Sequence, residues 1–375
     1  MRKLRQTWVT LHRWIGLGAG LLMCVAGLSG SFLVYYPAID RALNPDWVTP
    51  QAAGAALPMA NVIAAAGRGA KGRFVHSVFP ADAGFPVHRV WLTPSASDQS
   101  RMWEVLVDPA SARVLGERLA VPAFEPGRRN LVNTVYTLHY NLFAGDIGAT
   151  LVGVVGVLMV VSACSGVVLW WPRGRKWRQA LTLKRGARGH RLHVDLHRLA
   201  GGYGSMLLLL VAFTGVCLVF PGYVRALFPA HEAQTASLGR QSLTSRLPGA
   251  PDADRVMKAA LAAVPSSSVR VLWLPEANGP DWHVTLREAE GIGFAGSKAE
   301  VTVDPETGAV NLQSSSTSAD AATRFLAWQL PLHNGSALGS LGRLIVFLSG
   351  LLPTVLLITG LLVYRRKRKA AGSRR

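Results

Sequence analysis

Four long stretches of the chain contain no Asp, Glu, Lys or Arg, and they constrain its fold more than any other feature. They are Trp14–Tyr36, Ile147–Trp171, Leu199–Val224 and Leu344–Tyr364. As a helix rising about 1.5 Å per residue, each is long enough to cross a hydrocarbon layer of about 30 Å. One such run can be a buried helix of a soluble protein. Four in one chain predict an integral membrane protein with four transmembrane helices.

The charged residues are distributed unevenly between these stretches. The N-terminus, the segment Pro172–Arg198 and the tail Arg365–Arg375 hold 20 of the 40 Lys and Arg residues and one acid, Asp195. They account for the whole formal charge of +19, whereas the long loops Pro37–Asp146 and Pro221–Leu341 are nearly neutral. Short basic segments stay in the cytoplasm, so both termini are predicted inside and both large loops outside. The basic excess then attracts anionic lipid rather than nucleic acid.

The predicted organisation is an α-helical inner-membrane protein of a bacterium, with an α+β domain in each periplasmic loop. Seven segments follow from the charge and hydropathy pattern. They are 1–36 (N-terminus and first helix), 37–146 (first periplasmic domain), 147–171 (second helix), 172–198 (basic cytoplasmic loop), 199–221 (third helix), 222–341 (second periplasmic domain) and 342–375 (fourth helix and basic tail).

The two halves of the chain repeat each other. Leu-His-Arg opens the first and third helices at His12 and His197, and a glycine follows each histidine after 18 residues. Leu-His precedes the second and fourth helices at His139 and His333, and here a glycine follows after 27 residues. Each half crosses the membrane and returns, so the halves share one orientation. The sequence therefore predicts a tandem parallel repeat of a two-helix unit, related by an axis along the membrane normal.

The outer loops contain a second repeated pattern. Trp103–Pro109 runs on to Val114, and Val301–Pro305 runs on to Val310, with Asp-Pro at the centre of each segment. Alternating strand-forming residues around Asp-Pro and a small residue are typical of a strand, a turn and a second strand.

The four repeated histidines are candidate haem ligands. The predicted topology places His12 and His197 at the cytoplasmic helix ends, and His139 and His333 at or above the outer ends. A two-fold axis lets each histidine face its counterpart. Two imidazoles across a gap are what a six-coordinate b-type haem needs, and helix bundles commonly hold such sites. The pattern predicts binding of b-type haem, with ligands for two haem groups, one at each pair of histidines.

A single histidine at a membrane interface is more often a structural residue, but four at duplicated spacings favour ligation. His193 lies four residues before His197 on the same helical face, so it is an alternative ligand at the inner site. Arg13 and Arg198 are candidates to meet haem propionates. Glycines after each inner histidine leave room for a flat macrocycle: Gly16, Gly18 and Gly20 after His12, and Gly201, Gly202 and Gly204 after His197.

The sequence contains no nucleotide-binding module of its own. The cytoplasmic loop of 27 residues is too short for a flavin or nicotinamide domain, and no Gly-x-Gly-x-x-Gly follows a strand. Electrons would therefore come from a separate donor, either a quinol or a soluble reductase docking on the basic inner face. The spans carry no Asp or Glu, which weighs against a proton-coupled transporter.

The His-Arg-Trp-Ile-Gly-Leu opening, the Ser/Thr-Gly pairs of all four helices and the Leu-His-Tyr-Asn-Leu segment resemble the PepSY-associated transmembrane family of iron-regulated membrane proteins. The resemblance covers essentially the whole chain and extends to ferric-siderophore reductases. It implies PepSY-like periplasmic domains and a haem-containing enzyme that passes electrons outward to a ferric siderophore and releases Fe(II). The matching histidines are His12, His139, His197 and His333, without an assignment of ligand pairs.

The implied chemistry is reasonable, because hard oxygen donors favour ferric over ferrous iron and one added electron weakens the complex. Two other hypotheses remain open from the sequence. One is a membrane-anchored binding or regulatory protein without redox chemistry, and the other is a siderophore permease. A colourless protein would favour the first of these, and uptake of intact ligand without reduction would favour the second.

Overall fold

The computed structural model describes residues 2–122, 124–125, 127–172, 174, 177–228, 241–246, 252–275, 279–288, 298–314 and 320–372. The chain forms two compact units, and each draws on both halves of the sequence. The first unit comprises Met1–Tyr35, Leu138–Gly222 and Gln329–Arg375, and the second comprises Tyr36–Thr137 and Tyr223–Trp328.

The first unit consists of apolar helices. Among the described residues, three helices are long and apolar enough to cross a membrane, and a fourth candidate is a bent pair of helices. The three or four candidate spans agree with the prediction of a membrane protein. The helices of this unit are α1 (Arg2–Gly18), α2 (Gly20–Val34), α7 (Gly145–Trp170), α8 (Trp177–Leu181), α9 (Gly189–Val219), α13 (Gly339–Ser349) and α14 (Leu352–Gly372).

Two of the predicted spans depart from one regular helix, although only the first is bent by more than 40°. The axes of α1 and α2 differ by 61°, with the break at Ala19 between two glycines. Glycine leaves the backbone free to bend, but nothing in the apolar pattern marks this position. The other break separates α13 from α14, and Pro353 is the second residue of α14. Proline lacks an N–H and clashes with the preceding turn, so a kink near Pro353 is expected from the sequence.

Small residues let these helices approach closely. α9 packs against α7 and α14, α1 packs against α7, and α2 packs against α13 and α14. The backbones of Gly27 and Gly350 touch, so that a Cβ on either glycine would overlap the carbonyl of the other. Beside them the Ser31 hydroxyl donates a hydrogen bond to the Phe347 carbonyl over 2.6 Å. Close backbone contact and a cross-helix hydrogen bond are common means of joining helices in lipid.

The second unit, in its described residues, is built on one sheet of nine strands that come from both long loops. Their order is β4-β3-β2-β1-β6-β7-β8-β9-β5. The strands are β1 (Phe74–Phe79), β2 (His88–Thr93), β3 (Met102–Val107), β4 (Val114–Val121), β5 (Gln241–Arg246), β6 (Ser267–Trp273), β7 (Trp282–Glu288), β8 (Lys298–Val303) and β9 (Ala309–Ser314). The remaining helices are α3 (Tyr36–Leu43), α4 (Pro45–Val48), α5 (Met59–Arg68), α6 (Leu131–Asn141), α10 (Pro221–Arg225), α11 (Ala253–Ala263) and α12 (Ala321–His333), with α6, α10 and α12 crossing the unit boundary.

The two outer loops share this sheet, whereas the sequence predicts a separate domain in each loop. β1 of the first loop pairs antiparallel with β6 of the second, through Val78 with Leu272 and Ser77 with Trp273. On either side of this junction four strands follow one another outward in chain order, and β5 is added at the far edge of the second set. Without the junction, β1 and β6 would each present an unpaired edge. Pairing them satisfies both edges and gives the two loops one core.

The core lies on one face of the sheet, beneath α5 and α11. Val78, Leu92, Leu272 and Leu286 are fully buried there with Val62 of α5 and Val256 of α11. The halves also share a helix cap, because Asp254 of α11 accepts hydrogen bonds from the first two N–H groups of α5. A carboxylate at a helix N-terminus satisfies unpaired donors and offsets the helix dipole.

The opposite face of the sheet carries a buried ion-pair cluster in its first half. Arg118 of β4 donates two 2.8 Å hydrogen bonds to Asp40 and one of 2.6 Å to Glu104. All three side chains are at most 5% exposed. Burial acts to lower the pKa of Arg118, but the charges of Glu104 and Asp40 and their hydrogen bonds raise it above its ordinary value. Arg118 therefore stays charged.

The predicted strand–turn–strand segments are confirmed. β3 pairs with β4, and β8 pairs with β9, both antiparallel. In the first turn Asp108 accepts the N–H groups of Ala110 and Ser111, and in the second Asp304 accepts those of Glu306 and Thr307. Of the other histidines, His76 lies in β1, His88 in β2 and His283 in β7. His231 lies outside the described residues.

Candidate functional site

His12 and His197 face each other. α1 carries His12 and α9 carries His197, and their ring centroids lie 6.2 Å apart with an interplanar angle of 82°. Both side chains are half-buried. His193, the alternative ligand at this end, lies one turn earlier on α9, and the ring that faces His12 is that of His197.

His139 and His333 form a second pair with nearly the same spacing. His139 lies near the end of α6, and His333 is the last residue of α12. Their ring centroids are 6.1 Å apart, and the planes meet at 47°. α6 and α12, which precede the second and fourth spans, therefore fix the position of these histidines along the helix bundle. The sequence leaves that position open.

Each of the four rings is held by the same arrangement on a neighbouring helix. The Nδ1 atom lies 2.9–3.1 Å from a backbone carbonyl and from the hydroxyl of a Ser or Thr three residues further on. The acceptors are Ser162 and Ser165 for His12, Ala26 and Ser29 for His139, Leu356 and Thr359 for His197, and Val211 and Thr214 for His333. Sequence reasoning noted the Ser/Thr-Gly pairs as a repeat but did not assign them this role.

These contacts determine which ring nitrogen carries the proton. A carbonyl oxygen can only accept, so Nδ1 must be the protonated nitrogen that donates to it. Each hydroxyl in turn donates to a carbonyl of its own helix, as Ser29 does to Val25 over 2.6 Å and Thr359 does to Val355 over 2.6 Å. Nε2 of every ring therefore keeps its lone pair. A backbone acceptor on Nδ1 is the usual way in which a protein orients a metal-ligating histidine.

The glycine after each Ser or Thr makes room for the ring. A Cβ built on Gly30 would lie 3.0 Å from Cε1 of His139, and one on Gly215 would lie 3.0 Å from Cε1 of His333. The corresponding distances are 3.2 Å from Gly166 to His12 and 3.3 Å from Gly360 to His197. All four values are tighter than ordinary van der Waals contact. The recurring Ser/Thr-Gly pair is therefore a socket for one imidazole.

Gly30→Val is expected to destabilise the protein by about 1–3 kcal/mol, because the added side chain overpacks the ring of His139. The measurement is the thermal unfolding midpoint of the detergent-solubilised chain. Gly222→Val is the matched control, since a Cβ at Gly222 has no atom within 4 Å and Gly222 is not among the glycines expected to border a haem. Equal thermal unfolding midpoints for the two variants would contradict the close packing of Gly30 against the ring of His139.

The spacing within each pair suits one metal ion between the two rings. A metal–imidazole nitrogen bond is about 2 Å long, which puts the centroids of two opposed ligands about 6 Å apart. The observed centroid distances are 6.2 and 6.1 Å. Among the described residues no group of three or more His, Cys, Asp or Glu could hold a metal ion. Each pair offers two imidazole donors, which is the number of protein ligands that a six-coordinate haem iron takes, whereas a structural zinc site takes four.

His139 and His333 lie outside the candidate membrane-spanning segments, and their rings are held neutral. Burial and the nearby His333 lower the pKa of His139 to about 4. Burial also lowers the pKa of His333, although the Val211 carbonyl acts in the other direction. A neutral imidazole is the form that binds a metal ion.

The glycines expected to make room for a macrocycle fall into two groups. A Cβ on Gly16 or Gly18 would meet nothing within 4 Å, so the backbone after His12 borders open space. On Gly20 it would lie 2.7 Å from Leu357, and on Gly202 2.5 Å from Trp170, so these two serve helix packing.

Of the expected propionate partners, Arg198 donates to the Thr182 carbonyl and pairs with the buried Asp195 over 3.3 Å. Arg13 is exposed and stacks on Trp14.

The fold and the site define a class: a membrane protein whose helices hold two pairs of facing histidines. The family described as the PepSY-associated TM region matches residues 9–367, nearly the whole chain, and the protein belongs to this family. Among curated proteins, none matches the chain.

Proposed function

We propose that this protein is a haem-containing reductase of the bacterial inner membrane. It takes electrons from a quinol or a soluble reductase on the cytoplasmic side and reduces a ferric siderophore in the periplasm, with release of Fe(II). The observation that carries the proposal is the pair of His–His arrangements, with centroids 6.2 and 6.1 Å apart and every Nδ1 bonded to a carbonyl.

The residues present fit b-type haem. His12 and His197 would hold one group, and His139 and His333 a second, each through Nε2. A b-type haem between two imidazoles supplies a one-electron couple between ferric and ferrous iron. The chain fixes the tautomer through the carbonyl acceptors and fixes the ring orientation through the glycine sockets. Held by two histidines of the chain, each group would serve electron transfer rather than the binding of a substrate to its iron.

The two pairs lie near opposite ends of one helix. His197 of the first pair is on α9, and Thr214-Gly215, also on α9, holds His333 of the second. These positions are 18 residues apart, or about 27 Å along the helix. Between them the interior is apolar, with Ala19, Met23 and Val155 in one cluster. Two redox groups at these places would span most of a hydrocarbon layer of about 30 Å.

The orientation follows from the charges. We place the basic segments in the cytoplasm, with His12 and His197 on that side and the nine-stranded sheet in the periplasm. The repeated order of strands about the β1–β6 junction and the four matching sockets support an origin by duplication. The electron balance is one electron from the donor for each ferric ion reduced, and the siderophore leaves unchanged.

The first test is an absorption spectrum of the purified protein before and after addition of dithionite, with haem counted per chain. We expect a Soret band that shifts on reduction, sharp low-spin bands and two haems per chain. Ferric siderophore added to the reduced protein should restore the oxidised spectrum. A protein that stays colourless after addition of haemin would overturn the proposal and favour a membrane-anchored binding protein. Uptake of intact complex by vesicles without reduction would favour a permease.

A further inference from the structure

Three cations lie on adjacent strands of the second half of the sheet. Arg287 of β7 and Lys298 of β8 are direct cross-strand partners. Arg270 of β6 occupies the irregularity between Val269 and Val271, beside β7. We call these three residues the cationic patch.

The cationic patch is on the face that α5 and α11 leave uncovered. Leu286 is fully buried in the core beneath these helices, so its neighbour Arg287 points the opposite way. Arg287 and Lys298 are exposed, and Arg270 is half-buried. The patch is therefore open to solvent at its outer part and partly enclosed at Arg270.

The charges of the patch act on one another. Burial lowers the pKa of Arg270, and the positive charge of Arg287 lowers it further, with a smaller effect of Arg89. Lys298 is within electrostatic reach of Arg270 as well. Among the described residues, Asp82 acts on Arg270 and Glu300 acts on Lys298, and neither is within ion-pair distance of the patch.

The first half of the same face differs in this respect. There Arg118 is fully paired with Asp40 and Glu104, and Arg89 lies 3.8 Å from Glu104 and stacks on Phe85. Arg118 and Arg89 thus have carboxylate partners in the first half, whereas in the part of the chain that the structure describes the three patch cations form no ion pair. Clustered like charges oppose folding and attract an external anion.

We propose that the cationic patch binds the anionic class of iron(III) chelates, whose donor groups are carboxylate or catecholate oxygens. This inference rests on the proposed function, because it names the substrate class of that reaction. The arginine guanidinium forms paired hydrogen bonds with carboxylate-type oxygens, and a lysine adds a point charge. A neutral trihydroxamate complex offers no net charge for the patch to attract, so the patch discriminates by charge.

The test is equilibrium dialysis of the full-length solubilised protein against gallium(III) citrate, a redox-inert substitute for the ferric complex. Arg270→Gln with Arg287→Gln is expected to weaken binding about tenfold or more, since each change removes a charged hydrogen-bonding partner. Arg68→Gln with Lys258→Gln is the matched control, because these cations are exposed on α5 and α11, on the covered side. The control should bind as the unaltered chain does, and salt should weaken binding in both.

Three results would overturn the inference. The first is equal affinity of the double variant and the control. The second is binding of a neutral gallium(III) trihydroxamate as tight as that of the citrate complex. The third is loss of binding to phosphatidylglycerol vesicles in the double variant with unchanged citrate affinity, which would assign the patch to lipid headgroups. Gallium binding needs no haem, so a colourless protein that binds the anionic complex would overturn the reductase alone.

Discussion

If the proposed haem sites are correct, a chain carrying His12→Ala is expected to retain about half of the haem of the unaltered protein, because one of the two proposed sites would lose a histidine ligand. The ring of His12 faces His197 alone, at 6.2 Å. The rings of the second pair come from α6 and α12, which His12→Ala leaves unchanged, so this pair should keep its haem and its low-spin spectrum. Haem per chain is measured as the pyridine haemochrome after purification, with size-exclusion chromatography to verify folding.

His193→Ala is the control for this experiment. His193 is on the same helix as His197, one turn away, and should leave the haem content unchanged. His197→Ala removes the same pair from the other side and should match His12→Ala, which guards against a folding defect of one variant. Full haem content in both His12→Ala and His197→Ala, or loss in His193→Ala, would refute the assignment of the inner pair.

Arg118→Met is expected to destabilise the sheet unit by about 3–5 kcal/mol, because it leaves buried Asp40 without a counter-charge and Glu104 with only the longer 3.8 Å contact to Arg89. Asp40 and Glu104 are 0% and 3% exposed, so neither can be hydrated without unfolding its surroundings. Hydrogen–deuterium exchange of β3 and β4 in the full-length protein reports the change as faster opening of these strands.

The control for Arg118 is Arg129→Met. Arg129 pairs with Asp46 at 2.7 Å, but the two side chains are 36% and 53% exposed. An exposed pair of this kind contributes about 0–1 kcal/mol. Replacing the whole buried cluster, as Arg118→Met with Asp40→Asn and Glu104→Gln, should recover much of the loss, because no unpaired charge then remains. If Arg118→Met exchanges no faster than Arg129→Met, the buried cluster does not have this role.

The sequence is informative wherever one local pattern determines the outcome. The uncharged stretches predict the spans, Pro353 predicts a kink, and the Asp-Pro segments predict the turns at Asp108 and Asp304. The duplicated spacings single out the four histidines that form pairs. Each of these signals lies within a few turns of chain or in a direct comparison of the two halves.

The features that the sequence does not show depend on which elements meet in space. Ser165-Gly166 contacts His12, about 150 residues away along the chain, and no pattern within the second helix names that partner. Likewise, alternation within β1 and β6 predicts two strands but not their mutual pairing. The bend at Ala19 has the same origin, because Gly18 and Gly20 permit it without requiring it.

The pairing of β1 with β6 also imposes an order on biosynthesis. Val78 leaves the ribosome long before its partner Leu272. At about 5–20 residues per second, roughly 10–40 s pass while the intervening segment is made. Throughout this interval the first loop exposes a strand edge that only the second loop can cover. A nascent chain in this state is a natural client for a chaperone that shields β-strand edges, and a truncation before β6 would leave that edge exposed permanently.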